Sequence, residues 1–427
     1  MVSFESAEGA PTGVPAAATP SQRGLASSAV RRSNLSLILT HLHLDGPATR
    51  SDLCDASGLT RSSVAALVGD LHEAGLVTES PTASDGRPGR PSPRVDFATG
   101  PAVLALEVQV DSVAAAWVSL GGRLLSVERR ARSRRRLSVA DTIDDLADLA
   151  IKGADATASS SLLAVGVSVS GLTARGSGEV AAAPNMGWRE VPLRRLLAEN
   201  EQMRAAFGSL DDVPIDLQNQ GDSGALAELR RGAARGYRHL VYVDTEVGMC
   251  GGLVADAELI RGSAGYGGEI GHMVVNPEGR LCACGAAGCW ETEAGARALL
   301  ARAGLDPAGG QAEVDRLIAA AERNDPDARA AFVDVAGWLA IGLSNLAIVL
   351  NPEVVVLGGI YQRAFRFVAQ TITDVFNDRS LTPLQGLQLV PSALGVDASL
   401  IGASELACDR VLTDPIGLAS GSARVPA

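Results

Sequence analysis

Two short segments, separated by nine residues, decide the fold of this chain: Gly268-Glu269-Ile270-Gly271-His272 and Cys282-Ala283-Cys284-Gly285-Ala286-Ala287-Gly288-Cys289-Trp290-Glu291. They supply one imidazole and three thiols, the closed ligand set of a structural rather than a catalytic zinc site. The glycines allow the chain to fold tightly around an ion. Three thiols that cluster without a metal are the alternative, and the accompanying His favours zinc. The sequence therefore predicts one structural zinc ion per chain, bound by His272, Cys282, Cys284 and Cys289.

The composition of the whole chain limits the classes of protein to which it can belong. With 427 residues, 46% of them hydrophobic, the chain is long enough for two or three domains with sizeable cores. Its longest apolar run, 336–350, is interrupted by glycine and polar residues and is shorter than the ~20 residues of a membrane span. Residues 1–28 are rich in Ala, Pro, Ser and Gly and lack the apolar core of a signal peptide. We therefore expect a disordered tail at 1–28 and a cytoplasmic protein with no membrane segment.

The residues after this tail predict a helix-turn-helix. Thr49-Arg50-Ser51-Asp52 is a capping box for a helix that stops at Gly58. Thr60 caps a second helix, 61–74, whose apolar residues recur at i, i+3, i+4 and i+7. An ordinary helical hairpin has the same two helices and is the alternative. The segment that follows favours DNA binding, and we predict a winged helix-turn-helix domain at 29–97.

That segment, Gly86-Arg87-Pro88-Gly89-Arg90-Pro91, places two arginines on an extended, proline-stiffened strip. Arginine in such a strip fits a narrow minor groove, whose negative potential attracts it. The chain as a whole carries a net charge of -12 and repels nucleic acid, so DNA binding must rest on local contacts. The first residues of the second helix in this motif face base edges. The predicted DNA-binding residues are therefore Arg50, Arg61, Ser62, Ser63, Arg87 and Arg90.

From Val103 onward, strand-like apolar runs alternate with helical segments. The strand-like runs include VLALEVQV (103–110), LLAVGVSVS (162–170), HLVYVDTEV (239–247) and EVVVLGG (353–359). The helices are expected near 139–151, 222–235, 326–350 and 362–377. This alternation predicts an α/β architecture with largely buried sheets and two βαβ-like halves. A basic run at 129–136 is predicted to be a solvated strand edge.

The metal-binding segment, together with most of the chain, resembles the ROK family (repressors, open reading frames and sugar kinases). The resemblance extends over nearly all of residues 30–411. It includes the N-terminal winged helix, which the family's regulators carry and its kinases lack. It implies an α/β, two-lobed, actin-like (ribonuclease-H-like) ATPase fold. The implied units are a first lobe at 102–225 with a helix at 398–411 packing back on it, a second lobe at 226–397 with the zinc loop, and a flexible tail at 412–427.

The resemblance also implies a sugar site between the lobes. In the family, residues equivalent to Glu269, His272 and Glu291 bind sugar hydroxyls, and the His ligates zinc through its other nitrogen. Asn219 matches the family's sugar-binding Asn, and two further stretches of the cleft match Ser170-Gly171 and 184–188. A polyol needs several fixed donors and acceptors in one cleft, which agrees with this set. The implied effector-binding residues are Gly171, Asn185, Asn219, Gln220, Glu269, His272 and Glu291.

Three departures from the family's kinases argue against catalysis. Where the kinases have an Asp as general base, this chain has Gln220, and an amide cannot take a proton. The first phosphate loop of the kinases is glycine-rich, whereas 107–111 reads EVQVD. The second aligns with 246–252, where Glu246 places a carboxylate at a phosphate position. The segments 351–353 and 357–359 still resemble the nucleotide-side hinge, which we interpret as retained architecture.

The predicted function is a DNA-binding transcriptional regulator, with a repressor favoured over an activator. It would respond to a sugar or sugar derivative bound in a degenerate kinase cleft, and it would not use ATP. The expected partners are operator DNA, the sugar effector and further copies of the chain in a homodimer or homotetramer. An ATP-dependent sugar kinase with an accessory DNA-binding domain is the first alternative. A regulator that has lost its effector and senses a partner protein is the second.

Overall fold

Two capped helices organise the N-terminal domain of this computed structural model, which describes residues 27–81, 92–132, 138–157, 161–378, 386–420 and 423–424. The Thr49 side chain accepts a hydrogen bond from the Asp52 N–H, and the Asp52 carboxylate accepts one from the Thr49 N–H, as the capping box predicts. The Thr60 hydroxyl accepts from the Ser63 N–H. The elements of this domain are α1 (Ser27–Asp45), β1 (Ala48–Thr49), α2 (Arg50–Ser57), α3 (Arg61–Glu73), β2 (Val77–Ser80) and β3 (Arg94–Phe97).

A small antiparallel sheet in the order β1-β3-β2 completes the winged helix-turn-helix, and the predicted domain type is confirmed. Residues 82–91, which connect β2 to β3, contain the predicted minor-groove arginines Arg87 and Arg90 and lie outside the described residues. Most of the tail predicted at 1–28 also lies outside them. Its last two residues, Ser27 and Ser28, already belong to α1.

The first lobe is built around a mixed sheet in the order β11-β7-β4-β5-β6. Its central strands are buried on both faces, which explains their unbroken apolar sequences. The elements of this lobe are β4 (Pro101–Val108), β5 (Ser112–Ser119), β6 (Leu124–Ala131), α4 (Val139–Asp155), β7 (Ser161–Val169), β8 (Leu172–Thr173), β9 (Val180–Ala183), β10 (Trp188–Val191), α5 (Leu193–Glu199), α6 (Glu201–Phe207), β11 (Ile215–Asn219) and α7 (Gln220–Arg231).

The second lobe has a sheet in the order β14-β13-β12-β15-β16. Two short 3-10 helices lie at Ile270–His272 and Gly395–Asp397. The strands and helices of this lobe are β12 (Leu240–Thr245), β13 (Met249–Ala255), β14 (Glu258–Leu259), α8 (Trp290–Ala294), α9 (Ala296–Arg302), α10 (Gly310–Glu322), α11 (Pro326–Leu350), β15 (Val354–Leu357), α12 (Gly359–Arg363), α13 (Phe365–Asp378) and β16 (Gln388–Pro391). Three further elements follow outside this lobe: α14 (Ala398–Thr413), α15 (Pro415–Ser420) and β17 (Ala423–Arg424).

The two large sheets share one topology. In each, three consecutive strands pair antiparallel, and two later strands then add in parallel beside the first of the three. The strand order counted from the edge is therefore the same in both lobes. This repeat is one of topology, which explains why the amino-acid sequence shows no short-period repeat.

Helix α11 is the one helix among the described residues with the length and apolar composition of a membrane span. It packs against α13, and Phe332, Leu339 and Leu343 are fully buried in the core of the second lobe. The apolar sequence of α11 is therefore accounted for by its place in this core.

Helix α14 returns to the first lobe and lies against β4 and β7. A Cβ at Gly166 of β7 would lie only 1.8 Å from the carbonyl oxygen of Ala403 in α14, so only glycine allows this approach.

The prediction for the last segment of the sequence was wrong. The segment 412–427 was expected to be a flexible tail, but it contains the end of α14, helix α15 and strand β17, which pairs antiparallel with β7.

The winged domain and the first lobe share one apolar cluster. Leu35, Ile38 and Leu39 of α1 belong to the same buried set as Leu400 and Ala407 of α14.

The basic run at 129–136 begins on the edge strand β6, as predicted. Of the arginines that the structure describes in this run, Arg132 is less solvated than predicted, because it binds Asp145 of α4 and its side chain is only 5% exposed. Arg130 also binds Asp145 but stays exposed.

Replacing Gly166 with Ala should destabilise the protein by several kcal/mol, about 3 or more, because the new methyl group would overlap the α14 backbone. Gly337→Ala is the matched control. It lies within α11 with no atom inside 4 Å of its added Cβ, and we expect it to stabilise by about 0.5–1 kcal/mol. Urea unfolding measures both. Equal stability of the two variants would contradict the close packing of α14 on β7.

Candidate functional site

A cleft of about 280 Å³ lies between the two lobes. Its walls come from the ends of β4, β7 and β11 in the first lobe and from β12, β13 and the metal loop in the second. All seven predicted effector-binding residues line this one cleft: Gly171, Asn185, Asn219, Gln220, Glu269, His272 and Glu291. The structure therefore brings together residues that are up to 120 positions apart in the sequence.

On the first-lobe side, the cleft is shaped by the transition from β11 to α7. The Asn219 side chain caps α7 by accepting a hydrogen bond of 2.7 Å from the Asp222 N–H. The next residue, Gln220, accepts a hydrogen bond of 2.5 Å from the Ser170 hydroxyl at the end of β7. Both amides are thus held in fixed orientations at the cleft wall, as recognition of a small polar molecule requires.

On the second-lobe side, three side chains face the cleft from the metal loop and its flanks. Burial raises the pKa of Glu269, the nearby Glu291 raises it further, and His272 opposes this shift. Glu291 is the second residue of α8 and follows Trp290, a fully buried side chain whose indole N–H donates to the Trp338 carbonyl at 3.0 Å. The carboxylate therefore projects from an anchored helix.

The predicted metal ligands converge. One atom from each of His272, Cys282, Cys284 and Cys289 lies within 4.8 Å of all the others. The Nδ1 atom of His272 is 3.6 Å from the Cys282 sulfur, and the Cys284 and Cys289 sulfurs are 3.5 Å apart. Tetrahedral zinc with Zn–S bonds of about 2.3 Å needs ligand separations of about 3.8 Å. The donor set and its spacing therefore fit a zinc ion.

The loop around these ligands is pinned by one glycine. Gly288 has a φ of +73°, and a Cβ there would lie 1.4 Å from the Asn276 carbonyl oxygen. Isolated bridges pair Val274 with Cys289 and Leu281 with Ala287. The chain can therefore bring ligands on both sides of Gly288 to one point.

One part of the cleft, next to Gln220, is acidic. Asp111, Asp244 and Glu246 line it, and no Lys or Arg is among the lining residues. Burial raises the pKa of Asp244 to about 6. Burial and the charges of Asp244 and Asp111 raise the pKa of Glu246 to about 8, against an opposing effect of Arg363. Bringing a polyphosphate here would add further negative charge to an already unfavourable cluster.

One member of this cluster was missed in the sequence. Asp244 is a lone acid within the apolar strand β12, and the Tyr242 hydroxyl donates to it at 3.2 Å. In the sequence, the sign of such a residue was a single acidic side chain within an otherwise apolar strand.

Glu107, which belongs to the segment predicted at the first phosphate loop, points away from the cleft. It binds Arg129 at 2.7 Å and the Ser399 hydroxyl, so within 107–111 it is Gln109, Val110 and Asp111 that line the cleft.

At the other end of the molecule, the predicted DNA-binding residues differ in their contacts. Arg61 and Ser62 are exposed at the start of α3. The Ser63 hydroxyl lies 2.9 Å from the Thr60 hydroxyl and takes part in the helix cap. Arg50 binds both carboxylate oxygens of Glu79 at 2.5 Å, which ties α2 to the wing strand β2. Among the members of this group that the structure describes, the long outward-facing donor is therefore Arg61.

Comparison with known proteins places the chain in a family. Residues 103–410 match the model of the ROK family, and residues 36–88 match the model of the MarR family. The first match covers most of the chain. This protein belongs to the ROK family.

Its relatives within the ROK family include both regulators and kinases. The xylose repressor of Bacillus spizizenii is 26% identical over 386 residues, covering 90% of this chain and 97% of that protein. A ROK glucokinase from Streptomyces griseus, solved with glucose and AMPPNP, has a TM-score of 0.60 and 25% identity, covering 72% of this chain and 99% of the kinase. A solved ROK transcriptional regulator, a homologue of the Escherichia coli MLC protein, has a TM-score of 0.73 and 22% identity, covering 92% of this chain and 98% of the regulator.

These comparisons confirm the two-lobed, actin-like fold with an N-terminal winged helix that the sequence predicts. The regulator's fold extends over nearly the whole chain, whereas the kinase's fold covers less than three quarters of it. The ROK family contains kinases as well, so the acidic end of the cleft is the feature that bears on catalysis.

Replacing Glu246 with Gln should reduce the pH dependence of stability. A carboxyl group with a higher pKa in the folded state takes up a proton on folding. Its cost to stability is therefore absent below about pH 4.5 and grows as the pH rises toward 8. Between pH 5 and pH 8, we expect the wild type to lose about 1–3 kcal/mol more than Glu246→Gln in urea unfolding. Asp212→Asn, at an exposed site, is the control. If the stability of wild type and of Glu246→Gln changes with pH in the same way, the pKa of the Glu246 carboxyl is not raised in the folded protein.

Proposed function

We propose that this protein is a transcriptional repressor of carbohydrate metabolism, which binds operator DNA through its winged helix and a sugar effector in the inter-lobe cleft. One observation carries the proposal: an outward-facing recognition helix is joined to a kinase-like cleft whose phosphate end is acidic. The likeness to a protein named xylose repressor over 90% of this chain supports the proposal of a repressor.

The proposal includes the absence of sugar phosphorylation. Gln220 holds the general-base position of the family's kinases, and loss of a general base alone costs roughly 10²–10⁴ in rate. Its amide oxygen already accepts a hydrogen bond from Ser170, and an amide cannot accept the proton of a sugar hydroxyl. Asp111, Asp244 and Glu246 disfavour the phosphates of ATP. Together these features argue against the kinase alternative.

The same charges favour an effector without a phosphate group. Five carboxyl groups line the cleft, from Asp111, Asp244, Glu246, Glu269 and Glu291, and none of the lining residues is Lys or Arg. Carboxylates and amides suit neutral hydroxyl groups, whereas phosphates are normally bound by Arg, Lys or backbone N–H groups. We therefore propose an unphosphorylated monosaccharide as effector. A cleft built with so many fixed polar groups also argues against a regulator that has lost its ligand.

Zinc is the metal we propose for the loop, with His272, Cys282, Cys284 and Cys289 as ligands. The thiols would bind as thiolates, and the ion would supply a structural cross-link rather than chemistry. His272 would use Nδ1, which faces Cys282, and its other nitrogen would remain for a sugar hydroxyl. The metal would thereby orient a side chain of the effector site.

Replacing Cys284 with Ser should remove the bound zinc and the sugar response. The purified wild type is expected to contain one zinc ion per chain by elemental analysis, and the variant only a small fraction of that amount. Global unfolding should change little, because the loop is a local segment of a large fold. Cys54→Ser, which changes a thiol outside the loop, is the control. Wild-type protein purified without zinc or another metal would contradict the proposal.

Operator recognition should rest on a dimer or a higher even oligomer, because winged helix-turn-helix proteins bind two related half-sites. Arg61, Ser62 and Ser63 are the proposed base-reading residues, with Arg50 stabilising the wing and Arg87 and Arg90 reaching the minor groove. Arg61, as the long donor, should contribute most to discrimination.

A crossed pair of variants tests the proposed function. Arg61→Ala should lower discrimination between operator and random DNA by about 1–3 kcal/mol and leave sugar affinity unchanged. Glu269→Ala should do the reverse, with normal operator binding and no sugar response. Fluorescence anisotropy and calorimetry measure the two properties, with D-xylose and D-glucose as first sugars. Arg297→Ala, on an exposed arginine of α9, is the control. Wild-type selectivity in Arg61→Ala would refute the DNA-reading assignment, and ATP-dependent phosphorylation of either sugar would favour the kinase.

A further inference from the structure

Helix α7 has one end in the sugar cleft and the other against the DNA-binding domain. Its cap Asn219 and its first residue Gln220 line the cleft. Its last residue, Arg231, binds Glu405 of α14 at 2.8 Å and lies 2.7 Å from His43 of α1. The helix has 12 residues, which corresponds to about 18 Å. One rigid element therefore spans the distance between the two functions.

This helix also contacts both lobes along its length. On one side, Gly221 and Gly224 approach Gly251 and Tyr242 of the second-lobe sheet so closely that a Cβ would lie 2.2 Å from each. On the other side, Ser223 packs against Gly402 of α14. Closure of the cleft by a hinge movement of the lobes would therefore shift α7 relative to α14.

The DNA-binding domain is held mainly by α14. The apolar residues of α1 pack on α14 in one buried cluster. Among the residues that the structure describes, α7 and the turn after it reach α1 through polar contacts of Arg231 and Arg235, the latter donating to the Leu44 carbonyl at 3.0 Å. A shift of α7 along α14 would therefore change these polar contacts between α7 and the DNA-binding domain.

The contact at His43 has two alternative hydrogen-bond arrangements. Its Nδ1 lies 2.5 Å from the Leu120 carbonyl oxygen and must donate to it. Its Nε2 lies 2.7 Å from both Glu405 Oε2 and Arg231 Nη2. Because Nδ1 carries the proton of a neutral ring, Nε2 of neutral His43 accepts from the Arg231 guanidinium. Donation from Nε2 to Glu405 requires an imidazolium ring, with the second proton taken up from solvent. The two arrangements therefore differ by one proton, and each gives α1 a different hydrogen-bond partner.

The charge of Glu405 is fixed in both arrangements. Although burial raises its pKa, the contacts with His43, Arg231 and Arg230 lower it to about 2. The side chains of His43 and Glu405 are 0% and 1% exposed. Water cannot replace a lost partner here, so a displacement of Arg231 would leave His43 Nε2 without its donor, whereas Glu405 would keep its contact with Arg230.

We propose that His43, Glu405 and Arg231 form the contact that couples the sugar cleft to the DNA-binding domain, with Arg231 and His43 as positioning residues. The inference rests on the proposed function, because it assigns the route by which effector binding changes operator affinity. Lobe closure on the sugar moves α7, Arg231 changes its hydrogen bond to His43, and α1 changes its position relative to α14.

The test compares Arg231→Gln, which removes the charge but keeps a donor, with Arg231→Lys, which keeps the charge. Arg316→Gln is the control, because it breaks an exposed pair with Glu313 on α10. The operator is selected from a random duplex library with wild-type protein, and D-xylose and D-glucose are the probes. Sugar typically changes the affinity of an allosteric protein by about 5–150-fold; in Arg231→Gln we expect less than about threefold, with sugar affinity and sugar-free operator affinity retained. Arg231→Lys and Arg316→Gln should keep most of the response.

His43→Gln provides a second route to the same result, because it alters the contact from the DNA-binding side; it also changes the hydrogen bond to the Leu120 carbonyl in the turn between β5 and β6. A full sugar response in both Arg231→Gln and His43→Gln would overturn the coupling role. So would loss of sugar-free operator binding in both variants with sugar binding intact, since the contact would then only support the domain. If no probe sugar alters wild-type operator binding, the proposed function itself fails and the coupling role fails with it. A responding wild type beside fully responding variants contradicts the coupling role alone.

Discussion

The close packing of α7 between the two lobes is the constraint on which the rest of the structure depends. Glycines at 221, 224 and 402 allow backbone and ring atoms to approach within distances that any side chain would block. Because of this approach, the helix that is capped at the cleft floor also touches the second-lobe sheet and α14. Cores of this density do not deform continuously, so we expect a relative motion of the lobes to displace α7 as a whole helix.

The fixed polar groups and the buried acids of the cleft favour different ligands. The amides of Asn219 and Gln220 are held by hydrogen bonds with Asp222 and Ser170, and the carboxyl groups of Glu269 and Glu291 line the same cleft. Burial raises the pKa of Asp244 and of Glu246, because their environment disfavours negative charge. A polyanion would have to enter the region least able to hold it. Binding of a neutral ligand meets no such obstacle, because the acids in that region need not be ionised.

The sequence predicted most of the elements but not their three-dimensional relations. The capping residues Thr49 and Thr60 determine local structure through hydrogen bonds three residues away, so both helix starts were predicted correctly. The seven cleft residues were brought together only by family resemblance, since no local pattern indicates that Gly171 and Glu291 share a wall. Asp244 was missed because its role depends on burial, and the tail after 412 was misjudged because β17 gains its partner from a strand about 260 residues earlier. The pairing of Arg50 with Glu79 is equally a tertiary contact.

The metal loop and the cleft are linked through shared residues, so an ion bound in the loop would act on both. His272 faces the thiols with Nδ1, and Glu291 follows the last ligand, Cys289, by two residues. The Glu291 carboxyl lies 3.0 Å from the Cys282 sulfur. An ion that fixes the three thiols would therefore fix the ring plane of His272 and the start of α8 at once. Without such a cross-link, the loop would have to order itself when the sugar binds, and that entropy cost would be subtracted from the energy available for moving α7. A pre-ordered loop leaves the binding energy of the sugar for the conformational change.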